Sequence, residues 1–242
     1  MSQAARRTIW ITRAEPGAAA TAERVRQLGH RPLVTPLLEV RATAQAAPDL
    51  EGVGALAFTS ANGARIFASL TDRRDLPVFA VGAATAKAAK AEGFRQVLSA
   101  DGDVEALAAG IAGRAPELRG LVLHAAAAEP AGDLAGALAR AGVRARTETL
   151  YETAALKPEA RQLEAAFAAD DVLLHSPRAA RQLAVLARGG RARALRALCL
   201  SRAVAKPLAR AQLHSIACAP LPMEAALLNL IDRDAPARAN AS

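Results

Sequence analysis

Small polar residues follow short apolar runs at several places where a strand is expected to lead into a helix. The first such junction is Thr59-Ser60-Ala61-Asn62-Gly63, and the second is His175-Ser176-Pro177-Arg178. Two more are Thr12-Arg13 and Gly82-Ala83-Ala84-Thr85. A helix that begins at such a junction has unpaired backbone N–H groups and the positive end of its dipole, and both attract carboxylate or phosphate. We predict anion binding at these junctions, while plain helix capping by Ser60 and Ser176 stays open as the alternative.

Tyr151 is the single tyrosine of the chain and lies in the extended-looking segment Leu150-Tyr151-Glu152-Thr153. A phenol at such a place could donate a proton to a leaving oxygen, which is general acid catalysis. The alternative is a half-buried aromatic that packs against one side of a strand. The nearest acidic candidates for a chemical role are Glu39, Glu148 and Glu152, and no spacing singles out one of them.

Several common chemistries have no motif in this chain. The sequence has no GxGxxG, no Walker A and no GxSxG pattern, so a dinucleotide-binding protein, an NTPase and a nucleophile-elbow hydrolase are disfavoured. The four histidines are scattered, without cysteine or acidic neighbours at metal-ligand spacing, and we predict no metal site.

The composition is that of a globular protein whose core is built from alanine, leucine and valine. Apolar residues make up 52% of the chain and aromatic residues only 3%, and the net charge is +8. A positive excess raises the local concentration of anions, whether nucleic acid, an anionic surface or an acidic small molecule. Because aromatic residues are so few and the arginines are dispersed, nucleic acid is the least favoured of these partners.

The cysteines and the N-terminal residues indicate in which cellular compartment the protein is expected. Cys199 and Cys218 lie in apolar runs and are too few for a disulfide framework. The apolar stretch after Arg7 is too short for a signal peptide, and no run approaches the length of a membrane span. We expect a cytoplasmic protein.

Strand-like runs alternate with longer helical patterns, the arrangement typical of an α/β fold with parallel sheets. The pattern predicts strands at Thr8–Ile11 and Ala55–Phe58, and helices at Gly17–Leu28, Ala61–Leu70 and Ala83–Glu92. Asp103 is expected to cap a further helix that runs to Gly113.

The second half of the chain repeats features of the first. Trp10–Pro16 is echoed by Leu123–Pro130, Ala57–Ser60 by Leu173–Ser176, and Val81–Lys87 by Leu200–Lys206, in order and at a nearly constant offset. We interpret this as an internal duplication, with chance similarity between βα units as the alternative. Duplication favours two similar lobes with a ligand cleft between them, and the sequence alone would divide them near residue 115.

The whole set of motifs resembles the uroporphyrinogen-III synthase family over about residues 8 to 231. The matching features are Thr12-Arg13, Pro36-Leu37-Leu38-Glu39, Phe58–Gly63, Val81–Ala86, Leu150–Thr153, Ser176-Pro177 and Ala219-Pro220. The resemblance implies two flavodoxin-like parallel-sheet lobes joined by a two-stranded linker, with the first βα unit swapped into the C-terminal lobe. One lobe would be residues 1–36 with 156–242 and the other 42–148, with 37–41 and 149–155 as linker strands, which replaces the division near 115.

The resemblance also implies a substrate and a reaction. The substrate would be hydroxymethylbilane, a linear tetrapyrrole with acetate and propionate groups on every ring. A lyase of this family removes its terminal hydroxyl, closes the ring through a spiro intermediate and inverts the last pyrrole, without a cofactor, in the tetrapyrrole pathway to haem, sirohaem and cobalamin. The protein would act as a cytoplasmic monomer, with neither a nucleic acid nor a membrane as partner.

The resemblance further implies roles for individual residues. Tyr151 would assist departure of the hydroxyl, and the junction residues would bind substrate: Arg13, Thr59, Ser60, Ala61, Asn62, Gly82, Ala84, Thr85, Ser176, Pro177 and Arg178. The chain departs from the family pattern at Ala14 (commonly proline), in the alanine run 125–128 (commonly with glycine) and at Val204 (commonly threonine). A non-catalytic binding module for an anionic metabolite or tetrapyrrole is the alternative function, since it would share the fold and the anion sites.

Overall fold

The computed structural model describes residues 6–15, 17–130 and 132–232. Contacts along the chain separate two compact units: Met1–Glu39 with Ala154–Ser242, here the first unit, and Val40–Thr153, the second unit. The predicted lobe limits, residues 1–36 with 156–242 and residues 42–148, and the linker assignment stay predictions. The ends of the predicted first lobe, and Pro16 of the first repeat, lie outside the described residues.

The first unit is built on a five-stranded sheet in which all described pairings are parallel. Its elements in chain order are β1 (Thr8–Ile11), α1 (Gly17–Gln27), β2 (Arg31–Val34), α6 (Ala160–Phe167), β9 (Asp171–Leu174), α7 (Pro177–Leu186), β10 (Arg196–Cys199), α8 (Arg202–Ala205), a 3-10 turn (Lys206–Leu208), β11 (Ser215–Cys218) and α9 (Glu224–Leu228). The strand order is β11-β10-β9-β1-β2, the 2-1-3-4-5 order of flavodoxin when the strands are counted along the unit.

The second unit carries a six-stranded sheet in the order β3-β8-β7-β4-β5-β6. Two of its elements, the first and the last strand, each extend two residues beyond the limits of the unit. Its elements are β3 (Leu38–Ala42), β4 (Val53–Phe58), α2 (Ala61–Leu70), β5 (Val78–Ala80), α3 (Ala83–Ala91), β6 (Val97–Ser99), α4 (Val104–Ala112), a 3-10 turn (Ala115–Glu117), β7 (Leu121–Ala127), α5 (Leu134–Arg140) and β8 (Ala145–Ala155). The β8-β7, β7-β4, β4-β5 and β5-β6 pairings are parallel. The α/β class with parallel sheets is therefore confirmed.

The strand orders reflect the internal repeat. If β7 and β8 correspond to β1 and β2, and β4, β5 and β6 to β9, β10 and β11, then the order β8-β7-β4-β5-β6 has the same form as β2-β1-β9-β10-β11. The five-stranded sheet thus combines two strands from the first copy of the repeat with three from the second, and the six-stranded sheet combines two strands from the second copy with three from the first and carries β3 in addition at its edge.

Local signals account for the helix boundaries. Ser60, Asp103 and Ser176 each accept a hydrogen bond from the first turn of the helix that follows, so these helices begin where a side chain satisfies an unpaired N–H. Gly29 and Gly93, which follow the ends of α1 and α3, adopt positive φ angles of 83° and 92°. That conformation is open to glycine without a steric penalty, and it ends a helix.

Aliphatic and alanine side chains fill both faces of each sheet, and the few aromatic rings sit in the centre. Trp10 is fully buried in the first unit, 5.8 Å from the ring of Phe167, and its indole donates a 2.7 Å hydrogen bond to the carbonyl of Thr35. In the second unit the rings of Phe58, Phe67 and Phe94 lie 5.7–6.0 Å apart. None of the described helices is long and apolar enough to cross a membrane.

Candidate functional site

The end of β4 in the second unit carries the longest of the predicted junctions. Ser60 has an extended backbone and is the N-cap of α2, since its hydroxyl accepts the N–H of Asn62 at 3.1 Å. Thr59, Ala61 and Asn62 are half-buried around it. The capping role is therefore real, and the hydroxyls and first-turn amides of this junction lie at the carboxyl edge of the sheet, where ligands bind in open α/β folds.

Tyr151 lies in β8 and is only 3% exposed to solvent. It is therefore more buried than the half-buried packing residue that the sequence left open as the alternative. Its hydroxyl lies near enough to Ser60 for the two side chains to interact. Burial raises the pKa of Tyr151, and the contact with Ser60 opposes this only in part. The phenol therefore holds its proton at neutral pH, which is the state that a general acid requires.

The close approach of α2 to the ends of β7 and β8 depends on Gly63. A Cβ at this position would lie 2.9 Å from the carbonyl oxygen of Ala125 and 3.6 Å from the Tyr151 ring. The missing side chain lets the first turn of α2, and with it Ser60, approach the phenol.

The next junction, at the end of β5, leads into α3 through Gly82. This residue is the N-cap of α3 and provides no side-chain hydrogen bond, and no atom lies within 4 Å of the place a Cβ would take. Ala84 is an exposed residue of the first turn, where backbone N–H groups have no partner within the helix. Thr85, by contrast, is only 5% exposed, and its hydroxyl does not present itself at the surface.

His124 in β7 joins this part of the second unit, although the sequence interpretation did not give it a role. Its Nε2 lies 3.1 Å from the hydroxyl of Thr59, and its ring is 1% exposed. Burial lowers the pKa of His124 to about 4, so the ring is neutral at physiological pH. The contact was missed because it depends on β7 lying beside β4, which residue spacing along the chain does not reveal.

In the first unit, Ser176 and Pro177 open α7 after β9. The Ser176 hydroxyl accepts the N–H of Ala179 at 3.1 Å, and Pro177 occupies the first turn, where its missing N–H costs nothing. Arg178 lies half-buried in the same turn. Thr12 is fully buried and its hydroxyl donates a 2.7 Å hydrogen bond to the carbonyl of Leu173, so it ties β1 to β9.

Arg13 emerges from the end of β1 and is held in place by its neighbours. Its guanidinium lies over Gly17, where a Cβ would come within 2.5 Å of the Arg13 Nε. One nitrogen lies 3.4 Å from the Thr21 hydroxyl and 3.6 Å from a carboxylate oxygen of Glu224. About a third of the Arg13 side chain remains exposed, so it can still meet a ligand.

Glu224, in the first turn of α9, is a second residue that sequence reasoning missed. Its carboxylate also pairs with Arg24 and lies 3.8 Å from the Nε2 of His175. Burial alone would raise its pKa, but the neighbouring His175, the hydrogen bond from Thr21 and the charges of Arg24 and Arg13 bring the pKa of Glu224 to about 2. It is a permanent anion that orders the basic groups around it.

The arrangement thus brings Thr59, Ser60 and Tyr151 together in the second unit, and joins Arg13 to His175 through Glu224 in the first. Val204, where the family commonly has threonine, is 3% exposed in the apolar core of the first unit. Within residues 6–15, 17–130 and 132–232, no three His, Cys, Asp or Glu side chains are grouped to hold a metal ion.

Comparisons with known proteins give a consistent result. A family model described as uroporphyrinogen-III synthase HemD matches residues 19–229. No curated protein sequence shows significant similarity.

Two solved structures show the same fold. The crystal structure of uroporphyrinogen-III synthetase from Helicobacter pylori 26695 has a TM-score of 0.67 and 17% identity, over 94% of this chain and 98% of that chain. A mutant uroporphyrinogen III synthase from the extremely thermophilic bacterium Thermus thermophilus has a TM-score of 0.50 and 17% identity, over 94% of this chain and 96% of that chain. At these identities, the structural likeness shows the fold alone.

Proposed function

We propose that this chain, which belongs to the uroporphyrinogen-III synthase family, is a lyase that dehydrates hydroxymethylbilane and closes it into uroporphyrinogen III. The observation that carries the proposal is the family match over residues 19–229, which includes nearly every junction described above. The geometry supports it because both units present hydroxyls and helix N-termini at the carboxyl edges of their sheets. These groups suit a substrate with many carboxylate arms.

The amides of the two helix starts in the second unit would bind carboxylate arms of the substrate. The first turn of α3 is the better candidate, because Gly82 leaves its N–H groups without a side-chain cap and Ala84 is exposed. In the first unit Arg13 would pair with another carboxylate, since its side chain stays partly exposed beside Glu224. Arg178, with Ser176 and Pro177 at the start of α7, completes the proposed binding set.

Thr85 and Thr59 differ in what they can contribute. Because the Thr85 side chain is buried, its part in binding would be that of a backbone donor in the first turn of α3. The Thr59 hydroxyl is half-buried and can reach a ligand directly. The half-buried Ala61 and Asn62 would contribute first-turn backbone groups of α2.

Tyr151 would supply the proton for the first chemical step. The substrate's terminal C–O bond breaks as its hydroxyl takes that proton and leaves as water, which produces a protonated azafulvene and a phenolate. The proton that the last ring releases from the carbon at which it recloses would restore the phenol. Because the phenol is 3% exposed whereas Ser60 is half-buried, the leaving oxygen would lie against the Ser60–Tyr151 pair rather than against the phenol alone. The substituted carbon of the last ring then forms a C–C bond to this electrophile, and the spiro intermediate fragments and recloses with that ring inverted.

The chemical balance supports a reaction without a cofactor. Substrate and product differ by one molecule of water, so no electron or group acceptor is needed. The protein's share is positioning, proton supply and exclusion of water from a reactive intermediate. We further propose that it acts as a monomer in the cytoplasm, with neither nucleic acid nor membrane as partner.

The decisive experiment supplies purified protein with freshly generated hydroxymethylbilane, oxidises the products and separates the isomers. The type III isomer in excess over the spontaneous type I isomer is the expected result. Type I product alone would remove the enzymatic proposal, and tight binding of the substrate without turnover would favour the non-catalytic binding module.

The role of Tyr151 is tested with Tyr151→Phe, which removes only the hydroxyl. General acids contribute about 10²–10⁴-fold to rate, so kcat should fall about 100-fold or more. Ser60→Ala should also lower kcat, and Asp103→Ala is its matched control, because it removes the cap of α4 in the same unit without touching Tyr151. Wild-type turnover by Tyr151→Phe would refute the acid role and leave the overall function standing.

A further inference from the structure

Thr59, the residue after β4, contacts His124 in the neighbouring strand β7, and the reaction described above does not use this contact. The Nε2 of His124 lies 3.1 Å from Oγ1 of Thr59. The histidine ring is buried, while Thr59 is half-buried at the edge of the sheet. A ligand can therefore reach Thr59 but not the ring of His124.

The environment of the ring favours one tautomer. Burial keeps His124 neutral, so the ring carries a single N–H. Its Nδ1 is buried and has no hydrogen-bond partner among the described residues. A proton on Nδ1 would be an orphaned buried donor, which proteins tolerate less well than an unused acceptor. The proton therefore belongs on Nε2, which donates to the Thr59 oxygen.

This tautomer decides what Thr59 offers to a ligand. An oxygen that already accepts from Nε2–H keeps its own O–H free to donate. In the other tautomer the O–H would be used on His124, and only oxygen lone pairs would face the ligand. A free O–H attracts a carboxylate, whereas exposed lone pairs repel it.

We propose that His124 is a positioning residue that makes Thr59 an outward hydrogen-bond donor to a carboxylate arm of the substrate. This inference rests on the proposed function, because it assigns Thr59 to the binding of the polycarboxylate. His124 itself does not touch the substrate and acts only through Thr59.

The kinetic test uses His124→Leu, which removes the donor, and His124→Gln, whose amide N–H replaces it. His124→Leu leaves the Thr59 hydroxyl in place but without a fixed orientation, so it should raise KM severalfold, with a smaller change in kcat. His124→Gln should restore most of the affinity. Thr59→Val removes the proposed donor itself and should raise KM about tenfold or more, since hydrogen bonds to charged groups are of that strength. Adding His124→Leu to Thr59→Val should change KM no further, because His124 acts only through Thr59. An additive double variant, or an unchanged KM in a folded His124→Leu, would overturn the proposal.

A second measurement does not depend on activity or on the folding of His124→Leu. Nitrogen-15 NMR of the ring nitrogens distinguishes the two neutral tautomers, and the signals of His124 are identified by their loss in His124→Gln. We expect a proton on Nε2, and a proton on Nδ1 would refute the inference. If the wild-type protein makes no type III product, the proposed function fails, while the tautomer still reports on the His124–Thr59 pair itself.

Discussion

Replacing Gly63 by alanine perturbs the contact that brings α2 against the ends of β7 and β8. Within a helix, glycine to alanine ordinarily stabilises by about 1 kcal/mol, because it reduces the freedom of the unfolded chain. Here the new Cβ would lie 2.9 Å from the backbone oxygen of Ala125, which cannot rotate away as a flexible side chain would. Overpacking of this kind costs about 1–3 kcal/mol. We therefore expect Gly63→Ala to lower the free energy of unfolding by about 0–2 kcal/mol.

Gly110→Ala is the matched control. Gly110 lies in α4 of the same unit, is exposed, and has no atom within 4 Å of a new Cβ. It should gain about 1 kcal/mol from helix propensity alone. The two variants, identical in chemistry, should thus differ by about 1–3 kcal/mol.

Urea unfolding can be followed separately in the two units, because each contains a single probe. Tyr151 is the only tyrosine and lies in the second unit, and Trp10 is the only tryptophan and lies in the first. The near-ultraviolet signal of Tyr151 should report the difference between the variants, whereas Trp10 fluorescence should not. If Gly63→Ala stabilises the second unit as much as Gly110→Ala does, the contact with Ala125 is not tight and the reasoning is refuted. Because the new Cβ should push α2 away from Ala125, it should also move Ser60 away from Tyr151. Gly63→Ala should therefore lose turnover, while Gly110→Ala keeps it.

Three further outcomes are expected. Ser176→Ala removes the cap of α7 and should lower the free energy of unfolding of the first unit by about 1 kcal/mol. Trp10 fluorescence measures this unfolding, and an unchanged free energy would show that the cap contributes nothing to stability. The pKa of Glu224 in the folded protein lies near 2, below its value in the unfolded chain. Its contribution to stability is therefore present above the unfolded pKa and is lost as the pH falls towards 2. The difference in unfolding free energy between wild type and Glu224→Gln should shrink over that pH range, and a constant difference would contradict the assignment. Because burial raises the pKa of Tyr151, alkaline absorbance titration of this single tyrosine should have its midpoint above that of free tyrosine, and a midpoint at the free value would mean that the ring is open to water.

Local sequence signals predicted many of the elements with small boundary errors. The strand Thr8–Ile11 and the helix Ala61–Leu70 match the prediction, and the helices at Gly17 and Ala83 end one residue earlier than expected. Caps, glycines and apolar periodicity act within a few residues of where they lie, so they can be read without knowing the fold. The family resemblance, which the match over residues 19–229 confirms, likewise needed only the order and spacing of motifs.

Only the tertiary structure shows which of the junction side chains contact another side chain and which are buried away from solvent. Thr85 and Val204 stood at positions where ligand-facing residues were expected, yet both are nearly buried. The contact between His124 and Thr59 and the ion pair between Arg13 and Glu224 join residues far apart in the chain. The order of parallel strands determines which of their ends lie side by side, and residue spacing carries no record of that order. The sequence by itself therefore determined the elements and the family, and the packing of strand ends decided which side chains meet.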